Sequence, residues 1–212
     1  MLSSIVQYFA TNSNEYVKAV AAHMQISLQS VLVAVLIAVP LGIIGSRSKK
    51  INRALIEFFS LLRIIPSLAI LFVCIPILGV GVLPATVALS ILAIPPILIN
   101  TVLSLKSIPS SILETATGMG MEPLQRFIKV ELPLALPLIL TGIRTATIEV
   151  IASATLASYI GGGGLGDIIF TGLGLYRMDL LIIGGLSVSM LSLSSDLIFF
   201  LLHRFITRYQ RV

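Results

Sequence analysis

Five stretches of this chain are long and apolar enough to cross a bilayer, and few folds can accommodate that. Crossing about 30 Å of hydrocarbon takes about 20 mostly apolar residues, and such runs occupy 26–45, 56–79, 84–104, 135–158 and 180–202. Backbone polar groups inside hydrocarbon must be satisfied within their own segment, so runs of this length read as helices and the predicted class is an all-α polytopic membrane protein. Composition agrees: 57% of the 212 residues are hydrophobic and only 11% charged, where soluble domains carry about 25%. No polar block is long enough to bury a soluble core of its own. The expected organisation is an outer interfacial segment over 1–22, a transmembrane domain over 23–205 containing a polar loop at 105–134, and a tail at 206–212. Pro40, Pro66, Pro76, Pro95, Pro96 and Pro137 predict bent spans.

Orientation follows from the basic residues. With five spans, Arg47, Lys49, Lys50, Arg53, Lys106, Arg126, Lys129, Arg204, Arg208 and Arg211 share one side, and Lys18 and Arg177 fall on the other. The positive-inside rule then puts the N-terminus outside and the C-terminus in the cytoplasm. The net charge of +5 therefore reflects topology, and basic residues dispersed along membrane edges give no support to a nucleic-acid partner. The first 22 residues lack a basic stretch ahead of an apolar one, so they do not read as a cleavable signal peptide. Leu2, Ile5, Phe9, Tyr16 and Val20 suggest short amphipathic pieces on the outer interface, interrupted at Thr11–Asn14.

Between the third and fourth apolar runs the chain reads "ETATGMGMEPLQRFIKVELP", Glu114 to Pro133, too polar for a span. Ser111 and Glu114 have capping-box spacing for a short helix, which Gly118 or Gly120 can end. Glu122 and Pro123 suit the start of a second one, and the prolines of "ELPLALP" turn the chain back into the membrane. Met119 and Met121 flank the glycine elbow as adaptable apolar side chains suited to docking.

This stretch resembles the EAA motif of ATP-binding-cassette importer permeases, written EAA-x3-G-x9-I-x-LP. The matching residues are Glu114, Thr115, Ala116, Gly120, Val130, Leu132 and Pro133, with Thr115 in place of the first alanine and Val130 in place of isoleucine. The resemblance runs from about residue 23 to about 200 through "RIIPSLAIL", "PPILINT" and "IGGGGLGDII", and is to the subfamily importing glycine betaine, carnitine, choline or proline betaine. It implies the type I importer permease (MetI-like) fold in a bacterial cell membrane. It also implies a coupling helix over 112–122 that docks on one of two cytoplasmic ATPases, with Glu114, Thr115, Ala116, Gly118, Gly120, Met121, Leu132 and Pro133 as coupling residues. The partners implied are those ATPases, a second permease subunit and an extracytoplasmic substrate-binding protein, with ATP and Mg²⁺ held by the ATPases and no cofactor in this chain. The alternatives are a permease of the methionine type or, from another class, a small channel or secondary carrier.

Several other residues invite functional readings. Glu149 lies deep in the fourth span with Thr145 and Ser153 on its side. It suits either a pathway for a quaternary ammonium or a structural pairing with Arg63, Arg144 or a backbone donor. Asp196 continues a stripe of Gly185, Ser189 and Ser192 that suits a close helix contact or a pathway wall. Arg53 and Glu57 are spaced as an i, i+4 pair. Gly161–Gly166 matches G-x-G-x-x-G without the strand a dinucleotide site needs, so it reads as an outer hinge. Gly163, Gly164 and Asp167 are its receptor-side candidates, and Asp167 is equally explained as a helix N-terminal acid.

The chain has no Trp, and of its five Tyr residues Tyr8, Tyr16, Tyr176 and Tyr209 fall outside the predicted spans, too few for an aromatic cage. High-affinity capture of a quaternary ammonium is therefore assigned to another protein. His23 and His203 lie at opposite faces, Cys74 is alone in an apolar run, and no Walker A sequence occurs. Metal and catalytic sites are accordingly not expected.

Overall fold

The computed structural model describes residues 2–207, and Arg208, Tyr209 and Arg211 lie outside it. The described residues form helices α1 (Leu2–Ser46), α2 (Lys49–Leu62), α3 (Ser67–Leu78), α4 (Val82–Lys106), α5 (Ser110–Gly118), α6 (Pro123–Arg126), α7 (Leu132–Ala154), α8 (Leu165–Gly174) and α9 (Met178–Ile206). A π turn at Phe127–Glu131 joins α6 to α7, and a 3₁₀ turn at Thr155–Ile160 follows α7.

Small residues set the packing of α1, α4 and α7. Ala34, Ala38, Ala85, Ala93, Ala146 and Ala157 are fully buried, which lets helix backbones approach closely where lipid gives no hydrophobic drive for association. A Cβ at Gly42 would lie 2.7 Å from Thr101, and one at Gly142 would lie 2.7 Å from Asn100. Hydroxyls join the same faces, with Ser90 Oγ donating to the carbonyl of Ser30 at 3.1 Å.

These contacts fix topology. Ser30 meets Thr86 and Ser90 while Gly42 meets Thr101, so α1 and α4 run parallel. The end of α1 and the start of α4 therefore lie at opposite ends of the bundle, and α2 with α3 must carry the chain back. They do so as a pair bent by 93°, a full break at Pro66 where a bent span was expected over 56–79. Pro66 disfavours helical geometry at Ile65, and α3, 12 residues long, covers only about 18 Å alone. Counting this pair as one crossing gives five crossings, beside the long helices at Ser3–Ser46, Val82–Lys106, Pro123–Ile160 and Met178–Ile206.

The N-terminal segment also differs from expectation. The break foreseen at Thr11–Asn14 is a kink confined to Asn12 (φ −120°, ψ 21°) within one long helix. The apolar face ahead of residue 22 is covered by protein in part: Ile5, Tyr16 and Val20 pack on Leu165, Ile168, Leu180 and Ile183, while Phe9 stays exposed. Tyr16 also shares a 2.8 Å hydrogen bond with Ser187.

The bundle thus has two distinct ends. One, the basic end, carries Arg47, Lys49, Lys50, Arg53, Lys106, Arg126, Lys129 and Arg204 among the described residues, together with α5 and α6. The other, the glycine end, carries Lys18, Gly79–Gly81, Gly161–Gly166 and Arg177, and is closed by the amide of Gly81 donating to the carbonyl of Ile160 at 2.6 Å.

Candidate functional site

At the basic end, α5 projects as a short helix whose outer side is exposed. Its start is not the expected capping box. Pro109 takes the cap position with no side-chain hydrogen bond, so Ser111 and Glu114 fall inside the helix and Glu114 is exposed. The end is well defined. The amide of Gly120 donates to Thr117 at 2.9 Å and that of Met121 to Ala116 at 3.2 Å, the paired bonds of a Schellman motif. Gly120 supplies the left-handed residue at φ +81°, and Gly118 is the last helical one. Ala116 is the buried contact point of α5, while Thr115 bonds back to the carbonyl of Ser111 at 2.7 Å.

The anchor behind this helix is Glu131, 2% exposed. Its carboxylate meets Arg47 at 2.6 Å and Arg126 at 3.0 Å. Arg126 also donates to Thr117 Oγ1 at 3.0 Å, and Arg47 lies over the Phe127 ring, 5.4 Å from its centroid. One carboxylate therefore ties the end of α1, the start of α7 and, through Arg126, the short helix α5. Sequence reasoning used Arg47 and Arg126 only for orientation and assigned Glu131 no role. An acid between Val130 and Leu132, where the chain turns apolar again, was the available signal for Glu131, but nothing in sequence announces Arg47, 84 positions away.

Leu132 and Pro133 open α7, and the second short helix does not end before it. Pro123 stands in the first turn of α6 as expected, but α6, the π turn and α7 continue as one helical rod, Pro123–Ile160. Pro133 has no backbone N–H and its ring crowds the carbonyl four residues back. The wider π turn just before it, with the amide of Leu132 donating to Phe127, relieves both.

Deeper in the bundle two ion pairs differ in kind. Arg144 grips Asp196 with two bonds, at 2.6 and 2.8 Å. Glu149 faces Arg63 at the α2–α3 bend at 3.6 Å. Both line a cavity of about 400 Å³ together with Pro66, Ser67, Leu92 and Ser153. Thr145 turns instead to the carbonyl of Thr141. Of the expected stripe on α9, Asp196 alone meets another helix through a strong bond; Gly185 faces open space, and the close contact is at Gly184, against Ile169. Arg53 and Glu57 pair on the exposed face of α2 at 2.9 Å.

At the glycine end, Gly161, Gly163 and Gly164 all take positive φ. Gly163, Gly164 and Asp167 line a cavity of about 590 Å³ with Glu15, Lys18 and Thr171. Asp167 stands exposed in the first turn of α8. His23 is buried beneath, its Nε2 3.0 Å from the carbonyl of Ile151 and its Nδ1 against Gly164, where a Cβ would come within 3.2 Å. At the turn into α9, Arg177 bonds Asp179 at 2.6 Å, and that bond holds the guanidinium above its ordinary pKa.

Known proteins share this architecture. The chain is 45% identical over 203 residues to the choline transport system permease protein OpuBB of Bacillus subtilis, covering 96% of this chain and 94% of that one. It is 45% identical over 192 residues to the carnitine transport permease protein OpuCB of Listeria monocytogenes, covering 91% and 88%. Among solved structures, an inward-facing form of the MetNI methionine ABC transporter superposes with a TM-score of 0.79 at 23% identity, over 91% of this chain and 96% of that one. Residues 32–208 match the binding-protein-dependent transport system inner membrane component family. The chain belongs to that family: it is a multi-pass permease subunit of the ABC importer fold.

Proposed function

We propose that this chain forms the membrane pathway of an ATP-driven importer of quaternary ammonium osmoprotectants, among them glycine betaine, carnitine and choline. The observation that carries the coupling half is the exposed α5 helix held to the bundle through Glu131, Arg126 and Thr117. A helix that is exposed on its outer side and tied to the membrane rods on its inner side is built to receive force. In this reading the basic end is cytoplasmic and the N-terminus is outside. Two partner ATPases bind and hydrolyse ATP with its Mg²⁺, each engaging an α5 helix of one of two permease subunits. An extracytoplasmic binding protein delivers substrate to the glycine end, where Gly163, Gly164 and Asp167 are exposed or line the cavity.

The substrate half is supported by the relatives at 42–45% identity, whose names specify choline, carnitine and glycine betaine. The methionine importer, at 23% identity, bears on fold only. The test is uptake of labelled glycine betaine, carnitine and choline in an uptake-deficient host. Uptake is expected only when receptor and ATPase are supplied with this chain. Saturable uptake by the chain alone would overturn the proposal in favour of a carrier.

A further inference from the structure

The cavity at the α2–α3 bend has three properties that a merely structural ion pair does not require. First, its charges make only a loose ion pair. The Arg144–Asp196 pair closes to 2.6 and 2.8 Å with two hydrogen bonds, whereas Arg63 and Glu149 stand 3.6 Å apart with no side-chain hydrogen bond to either among the described residues. Guanidinium and carboxylate gain most from close bidentate contact, and intramembrane charges without it are costly.

Second, the backbone beside the pair leaves the helix. Ile64 and Ile65 donate to carbonyls three residues back, in a break between two helices set at 93°. Irregular backbone at membrane depth persists where it is buried in protein or lines a water-filled cavity, and interrupted helices are where membrane carriers place their transit sites. Third, the space is ligand-sized. About 400 Å³ falls within the range of small-molecule sites, and Ser67 and Ser153 add polar walls beside apolar ones.

We infer that this cavity is a transit site for a zwitterion, with Arg63 receiving the carboxylate and Glu149 the quaternary ammonium of one molecule. This rests on the proposed substrate class and adds where that class is recognised inside the membrane. A molecule carrying both charges displaces the loose Arg63–Glu149 contact and gives each an opposite partner, so neither is left unpaired when the two side chains part. The quaternary ammonium donates no hydrogen bond, and a carboxylate with open acceptor positions suits it. No aromatic ring lines the cavity, so the cation–π contribution of a high-affinity cage is missing. Weak binding suits a place a substrate must leave again.

The test compares glycine betaine and carnitine, which carry a carboxylate, with choline, which does not, in the host supplied with receptor and ATPase. Because every variant is served by the same receptor, each uptake ratio is taken relative to the wild-type chain. Arg63→Gln should lower glycine betaine and carnitine uptake about tenfold or more relative to choline, the loss of one charged partner, and Arg63→Lys should restore part of it. Glu149→Gln should lower all three.

The double variant Arg63→Gln/Glu149→Gln addresses folding. It removes both charges, so if the pair only stabilises the fold it should transport better than either single variant. The transit site predicts uptake as poor as Glu149→Gln at matched membrane levels. Restored uptake in the double variant, or an unchanged betaine-to-choline ratio in Arg63→Gln, would overturn the inference and leave the substrate reading intact. A wild-type chain that moves none of the three compounds would overturn both.

Discussion

The Glu131 anchor makes a quantitative prediction because its members differ in burial. Glu131→Gln keeps the side chain's shape and one acceptor oxygen but removes the one buried charge of this cluster, its side chain being 3% exposed. The arginines left behind are 46% and 26% exposed and can rehydrate. One of the two oxygens becomes an NH2 that can only donate, so one charge-assisted bond is lost and the other weakened, about 2 kcal/mol, or about 4–8 °C in Tm for a chain of this size. The double variant Arg47→Ala/Arg126→Ala leaves the buried carboxylate with neither arginine and should cost more, about 3–5 kcal/mol. Arg126→Ala alone keeps the Arg47 bond but releases Thr117 on α5. It should cost about 1–2 kcal/mol, less than the double arginine variant, while ATP-dependent uptake at matched protein level falls severely. The assays are thermal unfolding of the purified complex and uptake in membranes matched for protein level. Should Glu131→Gln prove more destabilising than the double arginine variant, or Arg126→Ala transport normally, the anchor neither works by charge burial nor connects α5 to the bundle.

Four further outcomes are expected. Gly120→Ala forces a β-carbon into φ +81° with nothing within 4 Å and should cost about 1–2 kcal/mol. Gly120→Asp strains the turn less, since Asp tolerates that region, so a greater loss of ATPase copurification with Asp than with Ala would mark the open surface as a docking face, and the reverse order would deny it. Gly166→Ala places a Cβ 2.0 Å from the carbonyl of Thr155 and should cost about 3 kcal/mol or more, seen as loss of folded protein in membranes; normal levels would contradict the packing of α8. In a Cys74→Ala background, cysteines at positions 50 and 122 should label only from the cytoplasm, and labelling from outside would reverse the orientation. Spin labels at 124 and 152 should keep one separation in all nucleotide states while the 64-to-152 separation changes, and a variable first distance would make the π turn a hinge.

Sequence disclosed the parts governed by local pattern. Apolar run length located the long helices, Pro123 announced the first turn of α6, and an i, i+4 spacing identified Arg53–Glu57. What escaped was set by contacts between distant residues. The capping box at Ser111 and Glu114 is a sound local signal, yet Pro109 starts the helix sooner because its fixed φ already suits the turn. Pro66 announced a bend in the 56–79 span but not its size, because sequence is blind to the parallel packing of α1 and α4 that makes the return crossing turn by 93°. Glu149 was left between a pathway and a partner, and the structure supplies Arg63 as partner at a distance that leaves the pathway reading alive. Gly185 was singled out from its spacing, while the glycine that admits a neighbour is Gly184, one position round the helix.

The same rod carries both halves of the proposed mechanism. Pro123–Ile160 holds Glu131 near one end and Glu149 18 residues on, about 27 Å away at 1.5 Å per residue. Between them Gly142 is pressed against Asn100 and the carbonyl of Pro96, where an added Cβ would come within 2.7 and 2.9 Å. The proposed mechanism takes that tight contact as the pivot, 11 residues from Glu131 and seven from Glu149. A tilt of about 10° there moves Glu131 by about 3 Å in one direction and Glu149 by about 2 Å in the other. Arg47, at the end of α1, holds the rest position of the rod, and Arg126 is the connection through which a displaced α5 pulls on it. The α2–α3 bend that carries Arg63 is a separate element from the rod, so the tilt changes the 3.6 Å gap between Arg63 and Glu149 by about half its length. On the proposed function, a pull on α5 at the basic end is therefore expected to open or close the charged cavity, and an Arg63-to-Glu149 separation that stays fixed while α5 is displaced would refute it.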